Sequence, residues 1–104
     1  MAKLPSAFEQ FRKNYPEVFA AYETVGGATL QAGPLDGKTR ELVKLGISIG
    51  AGMEGAAHSH ARRARDQGAT AEEMRHVALL GLTTLGFPSM MKGLLWVEDV
   101  VGQD

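Results

Sequence analysis

Residues 41–60, ELVKLGISIGAGMEGAAHSH, set the terms on which this chain can fold. The run is rich in small residues and weakly charged, with a carboxylate at one end and an imidazole at the other. Leu42, Val43, Leu45, Ile47 and Ile49 supply apolar bulk at helical spacing, yet Gly46, Gly50, Gly52 and Gly55 interrupt it. A glycine inside a helix is less favourable than alanine by about 1 kcal/mol. Four in one helical region point to close backbone approach by another helix or a ligand, or to a break between two helices near 50–52.

The flanks are punctuated as helices. Ser6 and Glu9 stand three apart ahead of an apolar-periodic stretch, the pattern of a capping box, and Phe8, Phe11 and Tyr15 follow at helical spacing. Pro16 ends or kinks that helix and suits the first turn of the next. Val18, Phe19, Tyr22 and Val25 carry the second helical face until Gly26 and Gly27, which are expected to stop it and leave 28–36 as a loop or a frayed turn. Asp36 is the N-cap candidate for a helix over Gly37–Gly50. The next helix, 54–67, ends at Gly68, which suits a C′ position. Thr70 and Glu73 form a second capping box and open a helix holding Met74, Val77, Ala78, Leu80 and Leu82. Gly-Phe-Pro at 86–88 punctuates it, and a last helix over 89–101 carries Met90, Met91, Leu94, Leu95, Val97 and Val101. No stretch alternates with period two over a useful length, so the expected fold is all-α, as one domain over 1–104.

Composition removes several function classes. The chain contains no cysteine, which excludes disulfides, thiolate metal sites and thiol redox chemistry within it. Net charge is -1 and the cations are scattered among acids, so there is no basic stripe to track a nucleic-acid backbone. Neither a signal-peptide run nor an apolar span of about 20 residues is present, and the expectation is a cytoplasmic protein with no membrane partner.

Two residues stand out as carriers of chemistry. His60 has Ala56, Ala57, Arg63 and Ala64 three and four positions away. Three small side chains leave room around an imidazole that could act as a general base near neutral pH. The same spacing suits a histidine that merely fills a helix crossing. Glu41 has Lys44 three residues on, which would give a surface ion pair. It also shares a stripe with Leu45 and Ser48, which would turn it inward to meet His60 and fix the tautomer of the ring.

The other polar residues read as structural. His58 lies on a different face from His60 and is expected to be exposed or interfacial. With Glu54 it makes only two ligands, too few for a metal site. His76, among Glu72, Glu73 and Arg75, reads as surface. Arg62, Arg63 and Arg65 read as a solvated face or subunit contact, since Asp66 follows and no glycine-rich phosphate loop precedes them. Met53, Met74, Met90 and Met91 are expected to serve as adaptable packing. No cofactor and no metal is called for.

With those residues placed, the chain resembles the carboxymuconolactone decarboxylase family, which includes the alkylhydroperoxidase D-like proteins. The resemblance rests on LDGKTREL at 35–42, MEGAAHSH at 53–60, ARRARDQGATAEEM at 61–74 and GFP at 86–88. Redox members of that family carry a glutamate, then twelve residues on a Cys-x-x-Cys, then a histidine four after the second cysteine. Glu41 and His60 fall on the glutamate and histidine, and Met53 and Ala56 fall where the two cysteines would be. A thioether and a methyl group can neither form the thiolate nor close the disulfide, so the family's thiol peroxidase chemistry is closed to this chain. The retained pair looks more like the decarboxylase branch, whose members act on lactone acids without a cofactor. There His60 would move a proton while nearby backbone N–H groups hold an enolate. Arginines that would bind a substrate carboxylate (Arg40, Arg62, Arg63) are not placed by any motif. The resemblance implies an alkylhydroperoxidase D-like bundle of five to six helices with two central antiparallel helices, assembled as trimers or hexamers. Phe8, Phe11, Phe19, Tyr22, Phe87 and Trp96 give more large apolar surface than one small domain easily hides, which suits self-association.

Three readings follow. One is a cofactor-free lyase or isomerase acting on a small organic acid, with His60 as base or acid, Glu41 orienting it, and a concave pocket beside both. A second is an oligomeric binding or assembly relative without catalysis, in which the pair is a buried contact with no accessible pocket. The third, an antioxidant role through a partner's thiols, ranks last.

Overall fold

Caps, more than propensity, fix where these helices begin and end. The structure, a computed structural model, describes residues 6–102, and the chain divides into two compact units, 1–34 and 35–104. In the first unit Ser6 Oγ accepts the Glu9 backbone N–H at 3.2 Å and starts α1 (Ala7–Asn14), while the Glu9 carboxylate pairs with Arg12. Pro16 opens α2 (Pro16–Gln31), where its missing N–H has no partner to lose. Phe19 packs edge-on against Phe8 and Phe11, with ring centroids 5.7 and 6.0 Å apart, and holds the two helices together.

The expected stop at Gly26 and Gly27 does not occur: α2 runs on to Gln31. Glycine weakens a helix without forbidding it, and the residues that follow, Ala28 to Gln31, are compatible with helix. Thr29 Oγ1 also donates to the Gly26 carbonyl at 2.7 Å, satisfying an acceptor where the helix is weakest. Neither helix of this unit contains a buried residue.

In the second unit Asp36 accepts the Thr39 N–H at 2.8 Å and caps α3 (Gly37–Gly50). The break near 50–52 is a Schellman-type stop. Gly52 takes φ +71°, and the Gly52 and Met53 N–H groups return to the Ile49 and Ser48 carbonyls. The α4 helix (Glu54–Asp66) ends the same way, with Gly68 at φ +95° and Ala69 bonded back to Ala64. Thr70 and Glu73 make both halves of a capping box for α5 (Ala71–Leu79). That helix then tightens into a 3-10 turn, Leu80–Leu82, so Leu80 and Leu82 leave the α-helix expected to hold them. Gly86, at φ +102°, precedes α6 (Phe87–Val101), which starts at Phe87 because Pro88 fits the first turn.

The core of this unit is built around Leu45, Met74 and Val97, all fully buried. Ala57, Ala61 and Ala64 form a fully buried small-residue stripe on α4. With side chains this short, neighbouring backbones can come close. Trp96, expected among the surplus aromatic surface, is buried in this core, whereas Phe8, Tyr22 and Phe87 are exposed. Of the methionines, Met74 and Met90 are core and Met53 and Met91 are exposed. Lys38 and Glu73 pair at 3.0 Å between α3 and α5, and Arg75 and Glu98 at 2.5 Å between α5 and α6. Both pairs are exposed and so add little to stability. Among the described residues no helix is long and apolar enough to cross a membrane.

Two outcomes follow from this packing. A Cβ built on Gly93 of α6 would sit 2.8 Å from Ile49 Cγ2, a stiff β-branched methyl in the core. Gly93→Ala is therefore expected to destabilise the protein by about 1–3 kcal/mol through overpacking, and in urea unfolding the same change should cost less when Ile49 is already alanine. Separately, three carboxyls are held below their ordinary range: Asp36 by the Thr39 backbone N–H, Glu73 by the Thr70 backbone N–H, and Glu98 by the Arg75 guanidinium. A depressed folded pKa adds stability above the unfolded value and loses it as pH falls through the folded one. Melting temperature should thus decline as pH drops below about 4, and Asp36→Asn should make that decline shallower.

Candidate functional site

The inner face of α3 carries Glu41, Leu45 and Ser48, four and seven residues apart, and all three are buried. This stripe decides between the two fates open to Glu41. Its carboxylate Oε2 lies 2.7 Å from His60 Nδ1 on α4, and the surface ion pair with Lys44 does not form. Contact between residues near the start of α3 and the middle of α4, across the short 51–53 turn, makes the two helices antiparallel neighbours. The side chains of His60 and Glu41 are 17% and 11% exposed, so the pair is largely but not wholly withdrawn from water.

That geometry assigns hydrogen-bonding roles. An ionised glutamate only accepts, so Nδ1 carries the proton and donates to Glu41. In neutral imidazole the lone pair then sits on Nε2, which makes no hydrogen bond among the described residues. An oriented ring with an unengaged basic nitrogen is the arrangement general-base chemistry requires.

The two positions matching the family's cysteines lie at the start of α4. Met53 is its N-cap residue, exposed and without a side-chain capping bond. Ala56 is half-buried, one turn before His60. His58 is engaged elsewhere: its Nε2 lies 2.9 Å from Asp99 Oδ2 and ties α4 to α6. No local spacing announces that link, because Asp99 belongs to another helix. His76, Arg62 and Arg63 are exposed, and Arg65 donates to the Val100 carbonyl at 3.4 Å. Among the described residues no three His, Asp or Glu side chains gather as a metal-ligand set.

An apolar hollow of about 400 Å³ opens on a different face of α3, between it, α5 and the 3-10 turn. Leu42, Gly46 and Gly50 contribute from α3, and Val77, Gly81 and Leu85 from the far side; neither Glu41 nor His60 lines it. The α3 glycines were legible as a sign of close approach or a ligand, whereas the residues facing them from 77–85 were not.

Removing His60 would leave a mostly buried carboxylate without its donor. His60→Ala is therefore expected to lower stability by about 1–3 kcal/mol. Glu41→Gln, which keeps an acceptor beside Nδ1–H, should lose less; equal losses in chemical denaturation would show that the hydrogen bond is not what the site depends on.

An uncharacterized protein of Haemophilus influenzae is 34% identical over 58 residues, 56% of this chain and 51% of that protein, so the chain spans about half of that relative's length. An uncharacterized protein of Methanocaldococcus jannaschii is 28% identical over 94 residues, 90% of this chain and 88% of the relative. No solved structure matches. The profile of the carboxymuconolactone decarboxylase family matches residues 16–99. That match runs from the first residue of α2 into α6 and takes in both Glu41 and His60, and on it the chain belongs to the carboxymuconolactone decarboxylase family.

Proposed function

We propose that the protein is a cofactor-free acid–base enzyme of lyase or isomerase type, acting on a small organic acid of the lactone class. The supporting observation is the Glu41–His60 hydrogen bond of 2.7 Å that leaves Nε2 unengaged. In this reading Nε2 takes a proton from a carbon beside the substrate carbonyl, and the electron pair of the broken C–H bond moves into an enolate. The imidazolium, stabilised by Glu41, then returns the proton to the same or a neighbouring carbon. For a decarboxylation the broken bond is instead that to the carboxylate: CO₂ leaves, the pair again enters the enolate, and His60, having taken a proton from solvent at Nε2, delivers it to that carbon. Glu41 stays ionised throughout and acts as a positioning residue. With no cysteine in the chain, the thiol chemistry of redox relatives has no place in it.

A second reading, an assembly module without catalysis, draws on a different observation. Ile47, Leu80, Phe87 and Leu95 are each about 60% exposed in the single chain, and apolar surface of that kind suits burial between copies. Self-association into trimers or hexamers fits either reading. The hollow's position away from the pair favours the assembly reading, while the unengaged Nε2 favours the enzyme.

Catalysis is what separates them. Small lactone carboxylic acids incubated with the protein in D₂O should exchange the proton beside the carbonyl or release CO₂, followed by NMR. His60→Ala should lower that rate by roughly 10²–10⁴-fold, and Glu41→Gln by less, with the main effect on kcat. An activity indifferent to His60, or none across a panel of such acids, would leave assembly as the role.

A further inference from the structure

We propose that the hollow beside α5 is a binding site for an uncharged, largely apolar small molecule. This does not depend on the Glu41–His60 reading. At about 400 Å³ the hollow falls within the range of roughly 300–1,000 Å³ occupied by small-molecule sites. Its chemistry is uniform: every lining side chain is aliphatic or absent except the hydroxyls of Thr39 and Thr84, and none is charged. A ligand carrying a charge into this space would lose water and gain no partner. The hydroxyl of Thr39 is already engaged with Asp36, which leaves Thr84 to meet a single carbonyl or hydroxyl on an otherwise apolar body.

Three glycines make the space. A Cβ on Gly46 would stand 3.5 Å from Val77 Cγ1, one on Gly50 would stand 3.8 Å from the Leu85 methyls, and one on Gly81 would stand 3.3 Å from Leu85 Cδ1. At all three positions a Cβ would come against another residue that lines the hollow. Gly46 and Gly50 lie in α3, a helix they weaken, and none of the three takes the positive φ that would demand glycine on backbone grounds. What they provide is room. The volume and the aliphatic walls of Leu42, Val77 and Leu85 suit a compact apolar body of about two or three rings.

The probe is N-phenyl-1-naphthylamine, an uncharged aromatic amine that fluoresces in apolar surroundings. It should bind the wild type saturably, one per chain, and shift the NMR signals of Gly46, Val77 and Leu85 more than those of Glu41 and His60. Gly46→Leu, which fills the hollow with a residue the helix prefers, should weaken binding at least tenfold while circular dichroism stays unchanged. If that variant does not fold, the wild-type shift map alone decides. The proposal is overturned by non-saturable binding, by a shift map centred elsewhere, or by a folded Gly46→Leu protein with unchanged affinity. It is also overturned if affinity falls with rising protein concentration as sedimentation shows association, because a second copy of the chain would then be the occupant.

Discussion

The second unit depends on how closely α3 and α4 approach. Ala57, Ala61 and Ala64 give α4 a face with almost no side-chain height, and Leu45 is fully buried beside that packing. Close approach has a consequence for the polar residues on the same faces. A carboxylate on the inner stripe of α3 cannot be left without a donor at that depth, and His60 on α4 supplies one at 2.7 Å. The apolar packing and the polar pair are therefore one arrangement: the alanines set the distance, and the distance makes the hydrogen bond possible.

Helix α3 serves two environments at once because its residues divide by angle. Glu41, Leu45 and Ser48 face the interior, whereas Leu42, Gly46 and Gly50 face the hollow. Side-chain volume is treated oppositely on the two sides. The inner face is filled, with Leu45 fully buried, and the outer face is emptied by glycine. A helix with apolar residues on both sides usually reads as fully buried, but here one side is open. That is why the pattern 42, 43, 45, 47, 49 alone does not reveal which apolar residues are core: Leu45 and Ile49 are, while Val43 and Ile47 are exposed.

What the sequence made legible was local, and what it hid was tertiary. Asp36, Thr70 and Gly68 acted where their chemistry predicts, because a cap needs only neighbours within four residues. The stripe of Glu41 with Leu45 and Ser48 allowed an inward turn, but Lys44 three residues on made a surface ion pair equally open, and only the burial of all three decides between them. Gly26 and Gly27 do not end α2, because their backbone penalty is small and helix-compatible residues follow. Trp96 could not be told from exposed aromatics, because its burial rests on packing against other helices. The His58–Asp99 pair and the residues opposite Gly46 were hidden for the same reason: each joins segments dozens of positions apart.

The Glu41–His60 bond by itself does not separate catalysis from structure. Once two polar groups are buried together, removing either one orphans the other, so such a pair resists piecemeal loss whatever it does. The informative atom is the one outside the bond. A histidine kept only to satisfy Glu41 would be served as well by setting its second nitrogen against a hydroxyl or a backbone N–H, and the described residues offer it none. Nor is that nitrogen an orphaned buried atom, since none is left unsatisfied among the described residues, and the His60 side chain is 17% exposed. In the acid–base reading, an imidazole anchored at one nitrogen and open at the other exchanges protons with something outside the helix pair. With Met53 and Ala56 in place of thiols, that something is not a cysteine of this chain. The acid–base reading rests on this asymmetry between the two ring nitrogens.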